Sequence, residues 1–348
     1  MQWPWKRASS KDQLIVSWSA QQLAYVQATR ESGSLVVKRM GVEQQGSDKL
    51  KDFAARMIES GLGNSNAMVM LGIEQCMLLQ IPAPSVPPDE LRAAVRYQIR
   101  DMVDTHIVDL TLDVLLVGDG QDKSAGQVFV VAATNTVVRE ALQLAEAMEW
   151  DCRVIDVQEM AQRNLQSAWA KTVGFAERAT AALVVVNEKQ ALFTITAREE
   201  LYYSRRLDLP EGFMSMQWDS DVHQTPTALD AYTPVGEYVP DYGSPASGFG
   251  AEDSTLGGND RAQRFLVEVQ RSLDLWDRTW TSLPMAGVAV CAGSRSADLA
   301  DWLSRGLGQA VAVMDPARLF DGVPELNEQE RMQCLPLLGL LLRVEGNG

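Results

Sequence analysis

The sequence predicts an α/β fold made by duplication, with a small α+β stretch set into its first half. Three observations carry this reading. Residues 14–40 read as three successive extended segments, residues 181–209 ("AALVVVNEKQALFTITAREELYYSRRLDL") repeat that opening, and a strand-helix-strand-strand-helix order over 75–149 interrupts the first half. A repeated β-β-β opening implies two sheets of one plan, and ligands of duplicated folds sit between the halves.

The opening stretch "LIVSWSAQQLAYVQ" (14–27) reads as a strand, a two- or three-residue turn and a second strand, and "SLVVKRM" (34–40) follows as a third. Leu50, Phe53, Met57 and Ile58 then share one face of a helix over about 48–61, before "AMVMLG" (67–72) reads as a buried strand. From Gln75 the chain starts a new unit. "MLLQIPAP" is extended, and Pro87, Pro88, Asp89 and Glu90 are start signals for a helix whose apolar positions are Leu91, Ala94, Val95, Ile99 and Met102. Strands at 110–118 and 127–134 flank the turn "DGQDKSAG", and a helix covers 136–149.

The expected organisation is therefore a first lobe over 1–74 and 153–178, an inserted α+β subdomain over 75–152, a second lobe over 179–333, and a C-terminal helix over 334–348 returning to the first lobe. In the second lobe, Phe265, Val269, Leu273, Trp276 and Trp280 mark the packed face of a long helix over 261–280. A strand (287–292), a helix (296–305) and a strand (310–314) follow.

The formal charge of −15 is concentrated: residues 211–260 hold nine acidic and no basic residues. Rich in Gly, Pro, Ser and Asp, residues 218–258 read as an acidic, disordered insertion. The remainder lacks the basic stripe that a nucleic-acid surface needs to displace counterions. Cys76, Cys152, Cys291 and Cys334 are scattered without a CxxC pair, which points to reduced thiols in a reducing compartment. "MQWPWKRASS" has no apolar stretch after its charges, so no signal peptide is expected, although Trp3 and Trp5 beside Lys6 and Arg7 suit a bilayer interface as well as a loose terminus. The longest apolar run, "CLPLLGLLLRV" (334–344), is about half of the ~20 residues a spanning helix requires.

Catalytic motifs are missing. His106 and His223 fall in different predicted units, with His106 placed for a cap, and no G-x-x-x-x-G-K-[ST] stretch occurs. "GLGNSNA" (61–67) follows a helix and precedes a strand, the reverse of a phosphate loop, and reads as a helix C-cap. "CAGSRSADLADWLSRGLG" (291–308) runs from a strand through Ala292 and Gly293 into a helix; both a tight β-α turn and a ligand-facing turn fit it.

Five stretches together, "ELRAAVRYQIRDMVDTHIVDLTLDVLLVG" (90–118), "CRVIDVQEMAQRNL" (152–165), "VEVQRSLDLWDRT" (267–279), "CAGSRSADLADWLSRGLG" and "CLPLLGLLLR" (334–343), resemble the PilM family of type IV pilus assembly, and more closely its MshI-type branch from MSHA-like pili. The cytoplasmic domain of GspL from type II secretion is also similar. The resemblance implies an actin-like fold of two ribonuclease H-like βββαβα lobes with an FtsA-type inserted subdomain. The family's first hairpin, D-I-G-S-S-S-V-K, falls on residues 17–24, so that Ser17, Ser19 and Ala24 stand for its aspartate, glycine and lysine. Its second hairpin, D-I-G-A-S, falls on 185–189, with Val185 and Asn187 for acid and glycine; on the adenosine side Gly293 remains and Ala292 replaces a glycine. A magnesium-nucleotide needs carboxylates or ordered water for the metal and close backbone amides for the phosphates. ATP with magnesium is therefore disfavoured, no cofactor or metal is expected, and the chain reads as a pseudo-ATPase without catalytic residues.

What the resemblance then implies is a cytoplasmic adaptor peripheral to the inner membrane of a Gram-negative bacterium, touching the membrane indirectly. Its partner is the short N-terminal cytoplasmic segment of a PilN-like single-pass protein, bound in a groove between the inserted subdomain and the first lobe. The groove is expected at Met77, Leu79 and Ile81 and at the helix bearing Arg92, Arg96, Tyr97 and Arg100, with a solvated helix face as the alternative reading of those arginines. Two further functions stay open: a nucleotide-binding ATPase, and a GspL-like scaffold recruiting the assembly ATPase.

Overall fold

A computed structural model describes residues 12–19, 21–31, 34–118, 126–218 and 258–343. Trp3, Trp5, Lys6, Arg7, His223 and all but the two ends of the expected acidic insertion lie outside the described residues. The chain divides into two compact units: Met1–Met77 with Ala132–Thr172 and Asp315–Gly348, and Leu78–Val131 with Val173–Met314.

In chain order the elements are β1 (Asp12–Ser19), β2 (Gln22–Glu31), β3 (Ser34–Gln44), α1 (Leu50–Glu59), β4 (Asn66–Leu71), β5 (Cys76–Pro82), α2 (Leu91–Gln98), β6 (Leu110–Leu116), β7 (Gln127–Thr134), α3 (Asn135–Ala147), β8 (Asp151–Val157) and α4 (Gln158–Thr172). There follow β9 (Ala179–Val185), β10 (Gln190–Ala197), β11 (Glu200–Asp208), α5 (Gly258–Thr279), β12 (Met285–Cys291), α6 (Ser296–Leu307), β13 (Val311–Val313), α7 (Glu328–Cys334) and α8 (Leu338–Leu341).

The first unit holds a sheet of order β3-β2-β1-β4-β8. β1 and β2 pair antiparallel from Asp12↔Thr29 to Ser19↔Gln22, and β4 runs parallel to β1. Leu14, Ile15 and Val16 in the middle of β1 are all buried, as a strand covered on both faces requires. Ile15, Val26 and Met40 form one core with Ala161 and Leu165 of α4 and with Leu337, Leu338 and Leu340 of the C-terminal segment. "GLGNSNA" closes α1: the Gly61 and Leu62 amides donate to Ile58 and Met57 carbonyls, with Gly61 at φ 88°.

α3, expected in the inserted subdomain, instead packs beside α1 and leads into β8 of the first sheet. Its amphipathic period shows that Ala141, Leu144 and Ala145 are buried without showing against what. The structure therefore leaves strand-helix-strand-strand as the inserted stretch, with a separate sheet of order β5-β7-β6. α2 ends at Gln98, earlier than its apolar pattern suggests, because "DMVDT" supplies aspartates and β-branched residues of low helix propensity.

The second unit carries a sheet of order β11-β10-β9-β12-β13, the first sheet's plan repeated, with β9 parallel to β12. All five apolar positions expected on the long helix are buried, from Phe265 to Trp280. Tyr202 on β11 meets the Trp276 and Trp280 rings edge-on at 5.8 and 4.8 Å. Within this unit Gly118, at φ 65°, donates to the Leu201 carbonyl at 3.0 Å. A Cβ there would stand 2.4 Å from the Tyr202 ring.

The expected single C-terminal helix is broken. α7 starts in a capping box between Asn327 and Glu330, a 3-10 turn spans Leu335–Leu337 because Pro336 has no amide to continue the helix, and α8 is one turn long. Asn164 on α4 donates to the Gly339 carbonyl at 2.9 Å, and Arg343 pairs with Asp156 at 2.7 Å. A Cβ on Gly339 would lie 2.1 Å from the Ala161 carbonyl oxygen. Gly339→Ala is accordingly expected to cost about 1–3 kcal/mol or more in urea unfolding, through overpacking against backbone. Burial pushes the Cys334 thiol up to about 12, opposed by its backbone hydrogen bonds at Tyr25 and Gly41 and reinforced by the Glu330 carboxylate. Because the unfolded thiol ionises near 8.5 and the folded one does not, this group's stabilisation falls as pH rises through roughly 8.5 to 12. Iodoacetamide at pH 8 should label Cys334 in urea and leave it unlabelled in the native chain, read by peptide mass spectrometry.

Candidate functional site

Ser17 and Ser19 stand in β1, opposite Ala24 and Gln22 of β2, so both serines belong to the strand ladder and the pairing runs almost to the tip. There Gln21 adopts φ 63°, a left-handed conformation that glycine or asparagine takes more readily. Its carbonyl accepts the Gln45 amide at 2.8 Å. The Gln75 carboxamide, from the turn between β4 and β5, donates to the Trp18 carbonyl at 2.8 Å and accepts the Gly72 amide at 3.0 Å. Trp18 in turn packs on Phe53 of α1 with ring centroids 5.5 Å apart.

Beside this hairpin is a cleft of about 370 Å³ lined by Trp18, Ser19, Gln21, Gln45, Leu50, Gln75, Glu140, Gln143 and Leu144. It lies wholly in the first unit, at the carboxyl ends of the parallel strands β1 and β4, where open α/β sheets bind ligands. The lining holds four carboxamides, one carboxylate and no cation.

The second lobe's hairpin is sealed by its own residues. Asn187 Oδ1 accepts the Lys189 and Gln190 amides at 2.8 and 2.9 Å. The Val186 and Asn187 amides donate to the Gln190 carbonyl at 2.9 and 3.3 Å. Four of the amides around this tip are thus engaged within it. Val185 pairs with Ala191 and is 7% exposed.

At the third position the chain makes a tight turn. The Ala292 amide donates to Ser296 Oγ at 2.8 Å, that hydroxyl donates to the Gly293 carbonyl at 2.7 Å, and Gly293 takes φ 57°. Arg295 leaves the turn to donate to the Met214 and Met216 carbonyls at 2.6 and 2.8 Å, its guanidinium 4.0 Å from the centre of the Trp218 ring.

Neither a protein-family model nor a curated protein matches the sequence. Among solved structures, that of the "PilM-PilN type IV pilus biogenesis complex" aligns with a TM-score of 0.61 at 16% identity, covering 94% of this chain and 98% of that one. The cytoplasmic domain of EpsL, an inner membrane component of the Vibrio cholerae type II secretion system, aligns at 16% identity and TM-score 0.42 over 62% of this chain and 78% of its own. A Bacteroides thetaiotaomicron protein with an actin-like ATPase fold and unknown function aligns at 9% identity and TM-score 0.48 over 94% of this chain and 97% of that one. This chain has the actin-like fold.

The expected groove residues are dispersed in role. Met77, Leu79 and Ile81 alternate along β5, and Ile81 is buried. Arg96 donates to the Ile107 and Leu110 carbonyls at 2.8 and 3.3 Å, holding the start of β6. Arg92 pairs with Asp113 at 2.8 Å, and Arg100 pairs with Asp101 while lying 5.3 Å from the Tyr97 ring. Tyr97 is 73% exposed. His106 caps the 3-10 turn before β6, its Nδ1 facing the Val108 amide at 3.5 Å. Residue patterns passed over Gln45, Gln75, Glu140 and Gln143, since a carboxamide has no motif and the cleft joins segments far apart in sequence. Asn187→Ala should loosen the second tip by about 0.5–1.5 kcal/mol per lost hydrogen bond, measured as a lower urea midpoint with unchanged m-value.

Proposed function

We propose that this chain is a non-catalytic adaptor of a type IV pilus (MSHA-like) inner-membrane platform, which grips the short N-terminal cytoplasmic segment of a PilN-like single-pass membrane protein. The observation that carries the reading is the sealed second hairpin: Val185 is buried where a metal-directed acid would stand, and the Asn187 side chain holds the amides that phosphates would need. In the first hairpin, Ser17 and Ser19 offer hydroxyls in a strand ladder, and the single carboxylate of the adjoining cleft, Glu140, comes from α3 with no cation beside it for phosphates. The residues present do not fit a magnesium-nucleotide. The shared fold with the protein of the PilM-PilN complex supports the partner class, and location at the cytoplasmic side of the inner membrane follows from that partner. In this reading the exposed Tyr97 ring is the contact on the inserted stretch that such a segment covers.

Isothermal titration of the full chain tests this. The N-terminal cytoplasmic peptide of a PilN-like membrane protein should bind saturably, and Mg-ATP should give no binding heat. Saturable Mg-ATP binding without peptide binding would overturn the proposal.

A further inference from the structure

We propose that Gly118 and Gln80 form a latch that fastens the inserted stretch to β11, so that this stretch moves and unfolds as one body with the second lobe, although chain order sets it into the first. The inference is independent of the adaptor reading. The chain leaves the first unit within β5, after Met77, and returns to it within β7, after Val131; the residues between belong by packing with Val173–Met314.

β11 is an edge strand, so β10 satisfies only one side of it. It also carries a bulge: Ile195 pairs with Tyr203 and Thr196 with Leu201, which makes Tyr202 the extra residue. A bulge bends its strand and re-aims the side chain that it inserts. Here the Tyr202 ring is 1% exposed and edge-on to Trp276 and Trp280. The carbonyls of Leu201 and Tyr202 meanwhile accept the Gly118 amide at 3.0 Å and Gln80 Nε2 at 3.4 Å. Gln80 also donates to Gln127 Oε1 at 2.5 Å, so one carboxamide joins β5, β7 and β11.

Gly118 fits this place for two reasons. Its φ of 65° is a conformation that glycine takes without steric cost, and a Cβ there would stand 2.4 Å from the Tyr202 ring. That ring cannot yield, because it is buried against the two tryptophans. A methyl group at position 118 therefore pushes the stretch away from β11. With the latch closed, a force or a ligand acting on the inserted stretch reaches the second lobe directly, through packed side chains and main-chain hydrogen bonds.

The test is hydrogen exchange of the full chain across a series of low urea concentrations, read by mass spectrometry on peptides from 78–118, from β9–β11 and from β1–β3. In the wild type the 78–118 peptides should lose protection at the same urea concentration as those of β9–β11. Gly118→Ala should speed exchange in 78–118 at least tenfold while changing β9 and β10 less than about twofold. Gln80→Ala, which adds no clash, should act in the same direction by about threefold to tenfold, as loss of one hydrogen bond does. Wild-type 78–118 peptides that open apart from β9–β11, alone or together with β1–β3, would overturn the latch. So would variants in which 78–118 and β9–β11 still open together.

Discussion

The parallel ladder between β1 and β4 is the constraint on which the first lobe depends. β1 lies in the middle of its sheet with Leu14, Ile15 and Val16 wholly buried, so a one-residue slip in pairing would turn that apolar set out of register with its neighbours. Once β1 and β4 run side by side, their carboxyl ends deliver the first hairpin tip and the turn after β4 to the same place. Gln75 then joins them through the Trp18 carbonyl. The second sheet repeats this order through β9 and β12.

One topology therefore ends in two chemistries. In the second lobe, a short polar side chain closes the hairpin: Asn187 satisfies main-chain amides locally, as asparagine does in turns. In the first, longer carboxamides tie the tip to its surroundings, Gln75 through the Trp18 carbonyl and the Gly72 amide, and the residues around the tip line a cleft. The difference rests on side-chain length and on which amides the tip has already satisfied. Exposed hydrogen-bonding groups with no internal partner remain usable for recognition, whereas buried ones must be paired.

Much of the fold was legible because it depends on period. Apolar runs separated by a short turn marked β1 and β2, and the 3- and 4-residue spacing of Phe265, Val269, Leu273 and Trp276 marked α5 and its buried face. Where the reading fell short, a period was present without an address. α3 has a clear apolar face, and only packing shows that the face belongs beside α1. The N-x-x-E signal at Asn327 and Glu330 was available and would have placed the start of α7. The site was legible in one sense: the positions lacking acids and glycines were identified by residue type. Gln75 and Gln143, by contrast, meet at one cleft from separate elements, and nothing local announces that meeting.

By itself the sequence determined the duplicated α/β plan, the places of nearly all helices and strands, and the absence of acid and glycine at the hairpin positions, because each is a property of spacing or residue identity within a short window. Tertiary structure alone decided which sheet α3 joins, that Arg96 serves the start of β6, that Asn187 seals its own turn, and that segments far apart in the chain share one amide-lined cleft. The physical reason is that a hydrogen-bond donor or an apolar face carries no record of its partner until the chain brings the two within reach of each other.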